Sequence, residues 1–431
     1  MRYEPIDPKL FIRNRERLTK LLKPNSIVVL HSNDVMPTCA DGVMPFVQNS
    51  NMIHLTGADQ EETILLLFPD APNEKQKEIL FVRETNEHIA IWEGEKYTKE
   101  KATEISGIAN IQWTDTFDST FHNLVQQAEH IYLATNEHLR ADVSVETRND
   151  RFIKKCKTAY PLHKYERLAP LMHELRITKQ PEEIDILQKA CDITESGFRR
   201  ALQLIKPGVG EWEVEAAFTH EFLIHGSKGH AYTPIIGGGH NACVLHYVDN
   251  HHRLQDGDLV LMDVGAEYAN WNADMTRTVP VNGKFTKRQR AVYNAVLKVM
   301  RQANGILRPG LKPSEYQKQV LEFMEDALIS LQLIDPEEAK KQDDSKPLVK
   351  KYFMHGTSHH LGLDVHDVSP PDAPFAVGQV FTIEPGIYIR EENLGCRIEN
   401  DVLIREDDNF DLMRNIPIEA DEIEALMAQQ N

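Results

Sequence analysis

Apolar residues recur at helical spacing through most of the chain after Leu168. A spacing of three to four residues between apolar positions is typical of amphipathic helices that pack on a core. The pattern predicts four long helices, interrupted by glycine, proline and short apolar runs. The predicted helices span residues 182–205, 212–225, 287–307 and 314–333.

The first part of the chain has a different pattern, with short β-rich apolar runs between helical ones. One basic helix is predicted over residues 11–22. Four runs rich in Ile, Leu, Val and Phe predict strands of a mixed sheet. These runs cover residues 26–30, 63–68, 79–82 and 131–133.

The change of pattern suggests two domains. A chain of 431 residues exceeds the usual size of one domain. We place the boundary near residue 170, with a smaller mixed α/β domain over residues 1–170 and an α+β domain over residues 171–431.

The second half contains a weak internal repeat. A helix pair separated by Lys-Pro-Gly at residues 206–208 recurs as a helix pair separated by Arg-Pro-Gly at residues 308–310. The apolar run that ends at Asp263 matches the run that ends at Glu384, and each copy has a second acid downstream, Asp274 or Glu399. A duplicated unit of this kind predicts a pseudo-twofold site where its two copies meet.

The four matched acids need a counter-charge. One aspartate at the end of a strand is usually a turn or cap residue, but four at matched positions on apolar runs are harder to explain in that way. Buried carboxylates are rare unless they are paired or bind a metal, and clustered ones repel each other. Two divalent cations would balance the charge of the four acids.

The ligand types indicate which metals suit the site. Oxygen-rich ligation with a single histidine favours manganese or magnesium, although cobalt or zinc could occupy it. Two ions about 3.5–4 Å apart would hold a bridging water, lower its pKa and polarise a carbonyl. The implied chemistry is metal-assisted hydrolysis.

Composition narrows the class of partner. The formal net charge is −18, and the chain has no long basic run. This argues against nucleic acid or an anionic membrane as the main partner. The first residues lack the apolar core of a signal peptide, and the five scattered cysteines suggest reduced thiols, so we expect a cytoplasmic protein.

The ordered residues Asp263, Asp274, His359, Glu384 and Glu399 resemble a known set. Together with His-Gly-Thr-Ser-His-His-Leu-Gly-Leu-Asp-Val-His-Asp at residues 355–367, they resemble the proline-specific metallopeptidases of the pita-bread fold. Within that group the chain is most similar to the aminopeptidase P (Xaa-Pro aminopeptidase) family, over nearly its whole length. Residues 44–57 also resemble the amino-terminal domain of that family, although Val47 and Asn49 depart from its pattern.

The resemblance implies a role for each metal ligand. Asp274 and Glu399 would bridge two metal ions, Asp263 would hold one of them, and His359 and Glu384 would hold the other. Glu384 would also carry a proton from a metal-bridging hydroxide or water towards the leaving proline nitrogen.

Further roles follow from the same resemblance. His246 and His366 would grip substrate carbonyls and steady the tetrahedral intermediate. His355 and Tyr388 would line a proline pocket, and Arg397 would orient a ligand carboxylate.

Trp92 matches a loop tryptophan that caps the site of a neighbouring subunit in relatives, although taken alone it is an ordinary loop anchor. The resemblance therefore implies a homodimer or homotetramer that acts on peptides with an N-terminal Xaa-Pro sequence.

Two alternatives stay open at this point. A prolidase (Xaa-Pro dipeptidase) uses the same metals on the same scaffold, so the ligands alone do not exclude it. A metal-free pita-bread protein could serve as a binding module, but such relatives lose ligand residues, and here all five are present.

Overall fold

The computed structural model describes residues 2–138, 140, 143–343 and 346–429. Contacts within the chain divide it into two compact units. One unit is Glu4–Arg176, and the other is Ile177–Asn431 together with Met1–Tyr3.

The first unit is built on a six-stranded mixed sheet with strand order β4-β3-β2-β1-β5-β6. Successive side chains of a strand point to opposite faces of a sheet, so a fully apolar strand must be covered on both. Val28 and Leu30 belong to one buried cluster, whereas Ile27 and Val29 belong to another. The strands are β1 Ser26–His31, β2 Ile64–Leu67, β3 Glu78–Val82, β4 Ile111–Trp113, β5 His130–Leu133 and β6 Lys164–Arg167.

Except for the exposed helix Glu87–Glu93, the helices of this unit pack on the sheet, and they include the predicted basic helix. They are α1 Lys9–Leu21, α2 Ser50–Thr56, α3 Glu87–Glu93, α4 Lys99–Ser106, α5 Phe117–Val125, α6 Arg148–Ala159 and α7 Ala169–Ile177. The four predicted strands are confirmed as β1, β2, β3 and β5. The sequence did not predict β4 and β6, which lie at the two edges of the sheet.

The second unit contains the four predicted long helices. Its helices are α8 Pro181–Leu204, α9 Glu211–Ile224, α10 Lys287–Ile306, α11 Pro313–Ser330, α12 Pro336–Ala339 and α13 Ala420–Ala428. Proline occupies the start of α8 and α11, where its missing N–H costs no hydrogen bond. Helical periodicity therefore predicted the long elements of this unit correctly.

The strands of the second unit form two matched antiparallel sheets and two hairpins. The sheets have strand orders β11-β8-β7 and β12-β15-β16, and the hairpins are β9-β10 and β13-β14. The strands are β7 Ile235–Gly238, β8 Leu259–Val264, β9 Glu267–Tyr268, β10 Trp271–Asn272, β11 Met275–Pro280, β12 Val380–Ile383, β13 Gly386–Ile389, β14 Leu394–Arg397, β15 Asn400–Ile404 and β16 Asn409–Asp411.

The internal repeat extends to individual hydrogen bonds. The amide of Gly208 donates to the carbonyl of Leu254 at 2.8 Å, and the amide of Gly310 donates to that of Phe375 at 2.8 Å. Both glycines have a positive φ, +90° and +87°, which is costly for any residue with a Cβ. The glycines of the two Pro-Gly turns therefore have similar backbone conformations and make equivalent hydrogen bonds in the two halves.

The two halves meet through backbone and side-chain hydrogen bonds between β11 and the β14–β15 segment. The amide of Glu399 donates to the carbonyl of Thr276 at 3.0 Å. The hydroxyl of Thr278 donates to the carbonyl of Arg397 at 2.9 Å. This seam brings the acids of one half next to those of the other.

The structure also describes the cysteines and the apolar character of the helices. All five cysteines are free thiols, as expected for a chain without a disulfide framework. Among the described residues, no helix is both long and apolar enough to cross a membrane.

Candidate metal centre

The first half contributes two acids through its paired strands β8 and β11. Asp263 lies near the end of β8, paired with Thr276, and Asp274 immediately precedes β11. The hydroxyl of Tyr232 lies 2.5 Å from Oδ1 of Asp263 and 2.6 Å from Oδ1 of Asp274. One phenol therefore holds both carboxylates of this half in place.

The second half contributes Glu384, Glu399 and His359. Glu384 follows β12, and its amide donates to the carbonyl of Thr357 at 2.8 Å. The amide of Thr382, in β12, donates to the carbonyl of His359 at 3.0 Å. This bond holds the histidine beside Glu384. Glu399 lies between β14 and β15, and its Oε2 accepts a hydrogen bond of 2.7 Å from the hydroxyl of Thr276.

These five side chains form one cluster at the seam. Nε2 of His359 lies 3.4 Å from Oδ2 of Asp274 and 3.5 Å from Oε1 of Glu384. Ligand atoms of Asp274, His359 and Glu399 all lie within 4.8 Å of one another. Asp263 joins the group through Tyr232, so the structure brings together all five residues that the sequence analysis assigned to metal.

The pKa values of these acids reflect their burial and, to a smaller extent, their crowding. Burial raises the pKa of Asp263, and raises that of Glu399 well above its ordinary value, with the neighbouring acids adding to both shifts. Burial also raises the pKa of Glu384 to about 7, with Asp274 and Asp263 contributing. A bound cation would offset the repulsion between these carboxylates and favour their ionised forms.

His359 is oriented for ligation. Its Nδ1 donates to the carbonyl oxygen of His360 at 3.0 Å, which leaves Nε2 facing Asp274 and Glu384 as the nitrogen that would bind a metal. Burial opposes charge on this ring, but Asp274 and Glu384 together raise its pKa. An imidazole nitrogen and four carboxylates form a donor set that fits divalent metal ions.

A second group of residues flanks the acids on one side. Nε2 of His355 lies 2.8 Å from the hydroxyl of Tyr388, and Nδ1 of the same ring lies 3.7 Å from Oε2 of Glu384. Arg397 donates to the Tyr388 hydroxyl at 2.7 Å and forms an ion pair with Asp263. Tyr388 therefore contacts both His355 and Arg397, and these two residues in turn contact Glu384 and Asp263.

The two other histidines of the predicted site lie beside this cluster. The ring of His366 packs on that of His359, with 3.7 Å between centroids. His246 is exposed. Burial lowers the pKa of the His355 ring to about 3, and the charges of Arg397 and His246 add to this shift.

Trp92 lies in the other compact unit. It belongs to α3 and is 76% exposed. Its assignment as a substrate-contacting residue stays a prediction.

Sequence reasoning missed three residues that support the cluster. Tyr232 and Thr276 bind the acids directly, as described above. Asp401 is fully buried, and its Oδ2 accepts a hydrogen bond of 3.0 Å from the amide of Asp274. Thr276 and Asp401 each lie two residues from a ligand in the sequence, which could have marked them as candidates. Tyr232 is far from the ligands in the sequence and reaches the site because Ile235 pairs with Asp263.

Comparison with protein-family models gives two matches. Residues 185–406 match the model of metallopeptidase family M24, and residues 11–132 match that of the aminopeptidase P N-terminal domain. The chain is 34% identical over 433 residues to the Xaa-Pro aminopeptidase of Escherichia coli, with 97% of each chain covered.

Solved structures give the same result. The chain resembles a candidate aminopeptidase P from Bacillus anthracis with a TM-score of 0.92 and 35% identity, covering 99% of both chains. It also resembles zinc-substituted aminopeptidase P of Escherichia coli in complex with product, with a TM-score of 0.87 and 32% identity over 99% of this chain and 100% of that one. The predicted fold, an amino-terminal domain followed by a pita-bread catalytic domain, is confirmed.

Proposed function

Because the chain belongs to metallopeptidase family M24, with the amino-terminal domain of aminopeptidase P before it, we propose that it is an aminopeptidase that acts on peptides with proline in the second position. It would release the residue that precedes proline. The observation that carries the proposal is the cluster of Asp263, Asp274, His359, Glu384 and Glu399 at the seam of the repeat.

We propose that this cluster holds two divalent metal ions. Asp274 and Glu399 would bridge them, Asp263 would hold one, and His359 with Glu384 would hold the other. The bound ions would supply Lewis acidity that polarises the scissile carbonyl and makes a water nucleophilic at neutral pH. Manganese is our preferred metal because the donor set is rich in oxygen.

The protein groups around the acids then position the substrate. Tyr388 and His355, joined by a hydrogen bond of 2.8 Å, would form the walls of a proline pocket. Arg397 would hold Asp263 in place through their ion pair. His246 and His366 would donate to substrate carbonyls, and Glu384 would move a proton towards the leaving nitrogen.

The choice of bond follows from the chemistry of proline. An Xaa-Pro bond is a tertiary amide without an N–H, and the ring fixes φ. A peptidase that binds its substrate as a β-strand loses a donor at this residue, whereas a dedicated ring pocket does not need that donor. The free amino group of the first residue could meet a metal ion or a site acid, which would limit cleavage to the first bond.

We also propose the domain organisation, the location and the oligomeric state of the protein. Residues 1–170 would form the amino-terminal domain and residues 171–431 the catalytic domain. The chain would work in the cytoplasm as a homodimer or homotetramer, with Trp92 reaching the site of a neighbouring subunit. The 76% exposure of Trp92 is compatible with that role.

Digestion of a tripeptide Xaa-Pro-Yaa tests the proposal. The purified chain, supplied with Mn²⁺, is expected to release Xaa and leave Pro-Yaa, and a chelator is expected to stop the reaction. Cleavage of the dipeptide Xaa-Pro alone would support the prolidase instead. Failure to cleave either peptide, or to bind metal, would favour a binding module.

A further inference from the structure

The second unit has a cavity of about 330 Å³. It is lined by His240, Cys243, Val244, Leu245, Met354 and Arg390. Its size suits one amino-acid side chain, and most of its lining is apolar. We refer to it as the Arg390 cavity.

Chain connectivity places this cavity beside the proposed proline pocket. Leu245 immediately precedes His246, and Met354 immediately precedes His355. Both Leu245 and Met354 pack against the apolar cluster that contains Tyr388 and Cys243. One side of this cluster therefore supports Tyr388, while its Leu245 and Met354 line the cavity.

Arg390 gives the cavity a positive charge without a partner. Within the part of the chain that the structure describes, no ion pair or hydrogen bond engages its guanidinium. The two acids that follow it are engaged by other cations. Glu391 pairs with Lys351 at 3.1 Å, and Glu392 pairs with Arg288 at 2.7 Å.

We propose that the Arg390 cavity binds the residue that follows proline, and that Arg390 pairs with the terminal carboxylate of that residue. This inference rests on the proposed function. A peptide whose first bond lies at the acids and whose proline lies against His355 and Tyr388 continues towards Met354 and Leu245. An apolar third side chain fills the cavity, and a free carboxylate at its edge meets the guanidinium.

The consequence is a preference for short peptides. In a tripeptide the third residue carries the terminal carboxylate, whereas in a longer peptide or an amide that position is neutral. Arg390 is exposed, and an exposed ion pair contributes less than a buried one does. The enzyme is therefore expected to cleave Ala-Pro-Leu with a kcat/KM about twofold to fivefold above that of Ala-Pro-Leu-amide.

The test compares these two substrates in three variants. Arg390→Gln is expected to lower kcat/KM for the acid to that of the amide and to leave the amide unchanged. Arg390→Lys, which keeps the charge, should retain a part of the preference. Arg405→Gln is the matched control, because Arg405 is an exposed arginine of the same unit that pairs with Asp408.

Inhibition by the product gives a second measurement. Pro-Leu is expected to inhibit cleavage of the amide more strongly than Pro-Leu-amide does, and Arg390→Gln is expected to abolish that difference. Added salt should also reduce the difference, because it screens a charge at the edge of a cavity.

The outcomes separate this inference from the proposed function. Equal cleavage of acid and amide by the unaltered enzyme, or an equal loss on both substrates in Arg390→Gln, would overturn the role of Arg390 while the aminopeptidase activity stands. Cleavage of neither substrate by the unaltered, metal-supplied enzyme would overturn the proposed function and this inference with it.

Discussion

The hydroxyl of Tyr232 lies 2.5 Å from Oδ1 of Asp263. It also lies 2.6 Å from Asp274, so a single side chain orients both acids of the first half. Groups that orient metal ligands typically contribute tenfold to a hundredfold to metal affinity.

Tyr232→Phe is therefore expected to weaken metal binding by about tenfold to a hundredfold while the fold is retained. Metal titration followed by calorimetry measures the change. Tyr293→Phe serves as the control, since its hydroxyl bonds the carbonyl of Ile418 away from the acids. Equal metal affinities in all three proteins would show that Tyr232 has no part in positioning the ligands.

Glu384→Gln is expected to abolish turnover and leave the fold intact. The amide keeps the shape of the side chain but can neither accept a proton nor supply a charged ligand. We expect kcat to fall by at least about a thousandfold, measured with Ala-Pro-Leu in the presence of Mn²⁺. The exposed Glu406, changed to Gln, is the matched control. Retained activity in Glu384→Gln would contradict its role as the proton carrier.

The metal-free protein should respond to pH through the same carboxyl group. Burial raises the pKa of Glu384 to about 7 in the folded chain, against an ordinary value of 4.5. The folded state therefore binds this proton more tightly than the unfolded state does. The resulting stabilisation is complete below pH 4.5 and is lost as the pH rises through 7.

Comparison with Glu384→Gln isolates this effect. In the presence of a chelator, the variant should gain free energy of unfolding relative to the unaltered chain between pH 5 and pH 7, by at most about 1.4 kcal/mol per pH unit. Urea unfolding at several pH values measures the difference. A constant difference across this range would contradict a raised pKa.

Gly265 lies between Asp263 and Asp274 in the chain, and there is no room for a side chain at this position. A Cβ at this position would lie 1.7 Å from the carbonyl oxygen of Ala273. Gly265→Ala is therefore expected to cost at least about 3 kcal/mol or to prevent folding.

A change of Gly305 to alanine should instead raise the stability of the protein. Gly305 lies in α10, where an added Cβ meets no atom within 4 Å, so alanine should stabilise the helix by up to about 1 kcal/mol. Thermal unfolding of both variants tests the pair. Equal melting temperatures for Gly265→Ala and the unaltered chain would show that the connection between β8 and β11 can adjust.

The long elements and the metal ligands could be predicted from sequence for physical reasons. Helices such as Pro181–Leu204 repeat their apolar positions over many turns, which makes the pattern unambiguous. The acids could be recognised because each one has a counterpart at the matching position of the other half, next to a similar apolar run.

Short and polar elements could not be predicted in this way. The edge strand Lys164–Arg167 has no buried residue, so no apolar alternation marks it. Tyr232 lies 31 residues before Asp263 in the chain, and only the pairing of β7 with β8 brings them together. Contacts of this kind depend on tertiary structure, which local sequence patterns do not encode.

The equivalent Pro-Gly turns at Gly208 and Gly310 bear on the origin of the fold. Each half has its own helix pair, its own turn and its own two acids, so either half alone would hold only half of the negative charge. A protein made of one such half could complete the set of four only by pairing with a copy of itself. Fusion of a gene encoding a homodimer, followed by divergence that left the metal-binding histidine on one side, is the history that this arrangement fits.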